Sequence, residues 1–230
     1  MGASGLTACG DEAKDDPFKG QKADAIAAKA VKATNGASSV HMAGTAHQEG
    51  GTTIKVDFKV DTQDNCTGTL SGQGTEAEVI KTSETGYVKG NDAFWQNSLK
   101  AQPGAEKMIS QLRGRWVKTP ADETSTRDIC DKQAFLAAMD NDKSERKGMT
   151  KGRTTTVDGQ EAIVLKKKDG DQTLTLYVAT KGKPYILKTT ATGGENPSTM
   201  NFTDYNKTVK ATPPPADKVV DPKKLAAKQA

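Results

Sequence analysis

Apolar and polar residues alternate along much of this chain, most cleanly in Ile54-Lys55-Val56-Asp57-Phe58-Lys59-Val60-Asp61. A period of two puts Ile54, Val56, Phe58 and Val60 on one side of a strand and the charged residues on the other. That is the pattern of an antiparallel sheet with one dry face and one wet face. Val40, Met42, Gly44 and Ala46 alternate in the same way just upstream, across a turn at Gly50-Gly51. Shorter strands are expected over 66–70, 76–82, 87–89 and 116–117, the last ended by Pro120. In the C-terminal half, strands over 154–157 and 161–166 flank Asp158-Gly159, a strong hairpin signal. Leu174, Leu176 and Val178 alternate next, and strands over 184–192 and 199–205 follow.

Three segments switch to the helical period. Ile26, Ala27, Ala30 and Val31 make a narrow stripe over 23–34, stopped by Asn35-Gly36. Met108, Ile109 and Leu112 face inward over 105–113. Ile129, Cys130, Phe135, Leu136 and Met139 share a broad face over 126–140. A helical turn at Asn91-Asp92-Ala93-Phe94-Trp95 is capped by Asn91 or Asp92. These elements predict an α+β fold: a large curved antiparallel sheet, a half-barrel of about ten strands, wrapped around a few helices. Such a sheet buries its dry face only if something fills the concavity. Ile54, Val56, Phe58, Val60, Leu174, Leu176 and Val178 are the expected concave face. Two readings of that face stand: core packed against the helices, or a surface lined for a ligand. Phe94, Trp95 and Trp116 similarly fit either a cavity mouth or a satellite core.

Composition narrows the function. The 230 residues are 34% hydrophobic and 5% aromatic, with a net charge of +4. The lysines are spread out and never form a basic stripe interleaved with aromatics, which argues against a nucleic-acid partner. No run approaches the 18 or more apolar residues of a spanning helix. Gly10 to Lys22 is polar and reads as a flexible tether, and Pro213-Pro214-Pro215 ends the domain before a Lys-rich tail. The expected organisation is therefore a leader remnant over 1–8, a tether over 9–22, one domain over 23–210 and a tail over 211–230.

Catalytic chemistry is not indicated. The chain holds no GxSxG, HExxH, GxGxxG or P-loop. His41 and His47 are the only histidines and read as solvent-facing strand residues rather than a base or a metal pair. Asp140-Asn141-Asp142-Lys143-Ser144 lacks the glycine and glutamate of a calcium loop. No catalytic residue, metal or cofactor is expected, and the chain is expected to be monomeric.

The cysteines carry the sharpest signal. Leu6-Thr7-Ala8-Cys9-Gly10 has the form of a bacterial lipobox, an aliphatic residue and two small ones before cysteine. In that pathway the cysteine thiol receives diacylglycerol and becomes the mature N-terminus. Two acyl chains, at roughly 0.8 kcal/mol per buried CH₂, anchor a protein stably. Met1 to Gly5 supplies neither a basic nor an apolar leader region, so either the box is the end of a longer signal peptide, the preferred reading, or Cys9 is a stray cysteine in a disordered N-terminus. Removing Cys9 leaves the pair Cys66 and Cys130, which in an exported protein reads as a disulfide. Closing that loop is worth roughly 4 kcal/mol on the chain-entropy model.

With these features the chain resembles actinobacterial lipoproteins of the LppX/LprG type. The likeness lies in the lipobox at Cys9, the helix leading to Ser38-Ser39-Val40, Gly86-Tyr87-Val88-Lys89-Gly90 with Phe94-Trp95, and Arg115-Trp116-Val117. The resemblance implies a LolA-like half-barrel with a hydrophobic cavity between sheet and helices. It implies a protein held at the outer face of the cell membrane that carries or presents a lipid or glycolipid. The alternative is a non-carrier that contacts a protein partner or senses envelope state.

Overall fold

The alternating segments assemble into one twelve-stranded sheet in this computed structural model, which describes residues 17–48, 51–120, 130–132 and 146–222. A helix, α1 (Ala23–Asn35), leads into β1 (Ser39–Gln48), β2 (Thr52–Asp61), β3 (Cys66–Gly72), β4 (Thr75–Lys81) and β5 (Thr85–Gly90). Two short helices, α2 (Asp92–Leu99) and α3 (Ala105–Leu112), precede β6 (Trp116–Pro120). The chain returns as β7 (Thr150–Val157), β8 (Gln160–Asp169), β9 (Gln172–Ala179), β10 (Ile186–Thr192), β11 (Ser198–Thr203) and β12 (Val219–Val220). The spatial order is β12-β6-β5-β4-β3-β2-β1-β11-β10-β9-β8-β7. The half-barrel of strands around helices is the α+β architecture that the alternation predicts.

Several details differ from the sequence expectation, each for a physical reason. Twelve strands form where about ten were counted, and one pairing, β12 with β6, is parallel. The segment expected to be a tail therefore rejoins the sheet. Val220 is only 4% exposed, against Val117, Ile109 and Leu112. The tether ends earlier than expected as well: Phe18 is 6% exposed within the main core. β7 begins four residues before the predicted strand, because Thr150 to Arg153 lie on a sheet edge and carry no apolar alternation. Cys9, the polar run 140–144 and, apart from 130–132, the helix expected over 126–140 lie outside the described residues.

Hairpin chemistry and glycine placement shape the sheet. Asp158 and Gly159 both take positive φ, 46° and 78°, as a two-residue turn matched to strand twist requires. Gly44 and Gly68 sit in mid-strand where neighbouring backbone closes in. A Cβ on Gly44 would lie 2.0 Å from the Thr199 carbonyl oxygen, and one on Gly68 2.1 Å from that of Asp57. Glycine at such points lets a sheet bend sharply.

The core lies on the concave side. Ile26, Ala27 and Ala30 of α1 pack with Val40, Phe58, Val60, Val178, Ile186 and Phe202. A second cluster joins Trp95, Ile109, Leu112, Val117 and Val220, with Phe94 packed against it. Phe94 and Trp95 thus form a satellite core. Trp116 lies half-buried beside it, with the Lys89 ammonium 5.7 Å from its ring centre.

Candidate ligand-binding face

Cross-strand register places all seven predicted concave residues on one face. On β2 and β1, Val60 opposes Val40, Phe58 opposes Met42, Val56 opposes Gly44 and Ile54 opposes Ala46. The pairings continue through β11 and β10 to β9. One row reads Val56–Gly44–Met200–Thr189–Leu176, and the next reads Ile54–Ala46–Ser198–Ala191–Leu174. Val178 opposes Ile186, deeper in.

Burial grades steeply along these strands. At one end Val60, Val178 and Phe202 are fully buried, and Val40, Ile186, Phe58 and Met42 are within 3% of it. Every member of the outer five-strand row, from Ile54 to Leu174, is only half-buried, as are Val56 and Leu70. The middle of that row is small, Ala46, Ser198 and Ala191, between branched Ile54 and Leu174. A small floor between larger walls makes a trough. Five strands at their usual spacing give it a width of roughly 19 Å. Ala46, Ala191, Ser198 and Leu70 were not among the predicted site residues. Ala46 shares the alternation of Val40 and Met42, while Ala191 and Ser198 give too little hydropathy contrast to show which face they occupy.

The buried cysteines, lysines and tyrosine at the closed end find partners within the chain. Cys66 and Cys130 are disulfide-bonded and nearly inaccessible. Lys81, directly across from Cys66, is buried and donates to the Asp64 carbonyl oxygen at 3.2 Å. Lys132 is also buried; its ammonium donates to the Asn35 carbonyl at 2.9 Å and to that of Ala37, the last turn of α1 and the residue beyond. A cation suits a helix C-terminus, while burial holds the Lys132 ammonium below the ordinary lysine range. Tyr205 stacks on Tyr185 with ring centres 4.1 Å apart and donates to the Ile186 carbonyl at 2.5 Å. Burial pushes its phenol well above the ordinary tyrosine value. Among the described residues of the trough's two rows, by contrast, the polar side chains are the neutral ones of Thr189 and Ser198. The trough meets charge at its β8 end, where Lys167 opposes Leu174.

The histidines lie elsewhere. His41 Nε2 is 2.8 Å from Asp57 Oδ1 and its Nδ1 is 3.1 Å from Thr203 Oγ1, so the ring ties β1 to both neighbours. His47 Nδ1 is 3.0 Å from the Pro197 carbonyl oxygen. An open groove of about 660 Å³ runs beside β3–β5, bordered by the Lys89–Glu78 and Arg113–Asp92 ion pairs. Its lining is mostly polar and charged side chains; it includes none of the seven predicted residues but shares Leu70 with the trough.

Comparison with known proteins places the fold. No protein-family model matches the chain, and no curated protein matches its sequence. LprF from Mycobacterium bovis superposes at a TM-score of 0.57 with 15% identity, covering 84% of this chain and 96% of LprF. This chain has the fold of LprF. The Mycobacterium tuberculosis lipoprotein LppX superposes at 0.52 with 15% identity, over 82% of this chain and 97% of LppX. Both likenesses span almost the whole of the mycobacterial chains. They establish a shared half-barrel, the fold that the sequence resemblance implied.

Proposed function

We propose that this protein is a lipid-anchored extracytoplasmic lipoprotein that holds a hydrophobic ligand, a lipid or glycolipid, in the trough of its half-barrel. One observation carries the reading. The apolar concave face continues past its closed core into a row, Ile54 to Leu174, that is only half-buried. A soluble domain gains by covering such a row, at about 25 cal/mol per Å² of apolar area removed from water. The neutral lining suits acyl chains, which need desolvation and no ion pairing. The fold shared with LppX, a lipoprotein, agrees with a membrane-tethered life. Acylation at Cys9 supplies the anchor, and Cys66–Cys130 holds the closed end together outside the reducing cytoplasm. No catalytic step is involved.

Native mass spectrometry of a Cys9→Ser chain, exported and purified without detergent, tests this. An adduct of lipid mass that is lost on denaturation is the expected result. A bare polypeptide mass, unchanged after incubation with extracted envelope lipids, would refute the carrier reading.

A further inference from the structure

The solvent side of α1 is basic, and further cations lie where the helix meets the adjoining sheet edge. Lys22, Ala25, Lys29 and Lys32 recur at helical spacing on the exposed side of α1, opposite the buried stripe of Ile26, Ala27 and Ala30. Lys19 is exposed just before the helix. α1 packs against β7, where Lys147 and Lys151 lie exposed at and beside the outer strand of the described sheet. The two parts are pinned together. The Lys151 ammonium donates to the Phe18 carbonyl at 3.0 Å, and the Asp24 carboxylate accepts the Gly148 and Met149 amides at 3.4 and 3.0 Å. Asp24 is the one carboxylate of α1, and those two bonds occupy it. Among the described residues, six cations, Lys19, Lys22, Lys29, Lys32, Lys147 and Lys151, lie on α1 or beside its contact with β7, and the Asp24 carboxylate there accepts backbone amides.

We infer that this α1–β7 face docks onto an anionic lipid surface and sets the orientation of the half-barrel on its membrane. Two observations choose that occupant. The first is charge complementarity. The second is the position of the chain's N-terminal lead: eight residues lie between Cys9 and Phe18, a span of at most roughly 32 Å, and Phe18 is bonded to β7 itself. The basic face is thus the part of the described structure nearest the proposed anchor, on whose reading this inference rests. Each lysine or arginine at an anionic surface strengthens partition about fivefold. Because α1 covers the concave side, docking through it turns that side, rather than the wet face of the sheet, toward the bilayer.

The test uses the full chain as Cys9→Ser, so that failure of lipidation and failure of docking are separately visible. Sedimentation with vesicles of equal parts phosphatidylglycerol and phosphatidylcholine is compared with pure phosphatidylcholine. Binding to the anionic vesicles only, weakened by salt, is expected. The triple change Lys22→Glu, Lys29→Glu, Lys32→Glu should weaken it by about a hundredfold or more with an unchanged melting curve. The control Lys55→Glu, Lys118→Glu, Lys210→Glu carries the same charge change at exposed sites elsewhere and should weaken it far less. Absence of binding, equal binding to neutral vesicles or equal loss in the control would each overturn the inference. So would binding that appears only after Asp11, Glu12, Asp15 and Asp16 are neutralised, since the acidic lead would then be the occupant.

Discussion

The two ends of the same strands teach different things. At the closed end, Val60 and Val178 lie beneath α1 with Phe202 and no measurable exposure. Toward the open end of those strands, Ile54 and Leu174 carry the same parity on the same face, yet remain half-exposed. Alternation reports which face a residue takes. It does not report what covers that face. The closed end is consistent with a part that holds the protein together, and the open end with a part left for something else to fill.

Substitutions should separate the two ends sharply. The largest effect is expected at the closed end, where Phe202→Ala should cost about 4 kcal/mol, read as a drop in thermal or denaturant midpoint. Cys66→Ser should cost a similar amount, about 4 kcal/mol, since it removes the cross-link and leaves a buried partner unpaired. If the wild type shows two reactive thiols when unfolded without reductant, the cross-link is absent in solution. Leu174→Ala at the open end should cost under about 1.5 kcal/mol, because its surroundings already admit solvent. Its larger effect should appear in lipid retention. Equal destabilisation by Phe202→Ala and Leu174→Ala would erase the distinction between the ends.

The smallest effect is a pH dependence confined to the closed end. Tyr205 holds its proton more tightly when folded than when unfolded. Its stabilising contribution is complete below the unfolded value near 10 and fades as pH rises past it. Tyr205→Phe should cost about 1 kcal/mol at pH 8 through the lost hydrogen bond to Ile186. That deficit should shrink above pH 10, as melting curves of the two proteins at matched pH would show. A deficit that stays constant to pH 12 would mean that the phenol is not shielded.

Much of this architecture was legible in the residues. The Ile54–Val60 alternation and the Asp158-Gly159 turn named β2 and the β7–β8 hairpin, and Ile26, Ala27 and Ala30 named the packed side of α1. Parity of the two unassigned cysteines foretold the disulfide. What was not legible depends on distance along the chain. β12 is two residues long and exists because Val219 and Val220 meet Trp116 and Val117, a pairing no local period encodes. Phe18 sits in a polar stretch and is drawn in by a core built from later strands. The trough floor of Ala46, Ser198 and Ala191 emerges only when three strands are set side by side. Of the candidate site, the walls were readable and, Ala46 apart, the floor was not.

The central claim is that lipid occupies the open row and leaves the closed core dry. Methyl NMR of the Cys9→Ser chain, titrated with a phospholipid spin-labelled on its acyl chain, tests this most directly. The account predicts strong broadening of the Ile54, Val56, Leu70 and Leu174 methyls, with those of Val60 and Val178 less affected. Broadening confined to methyls outside the concave face, or none at saturating lipid, would contradict it.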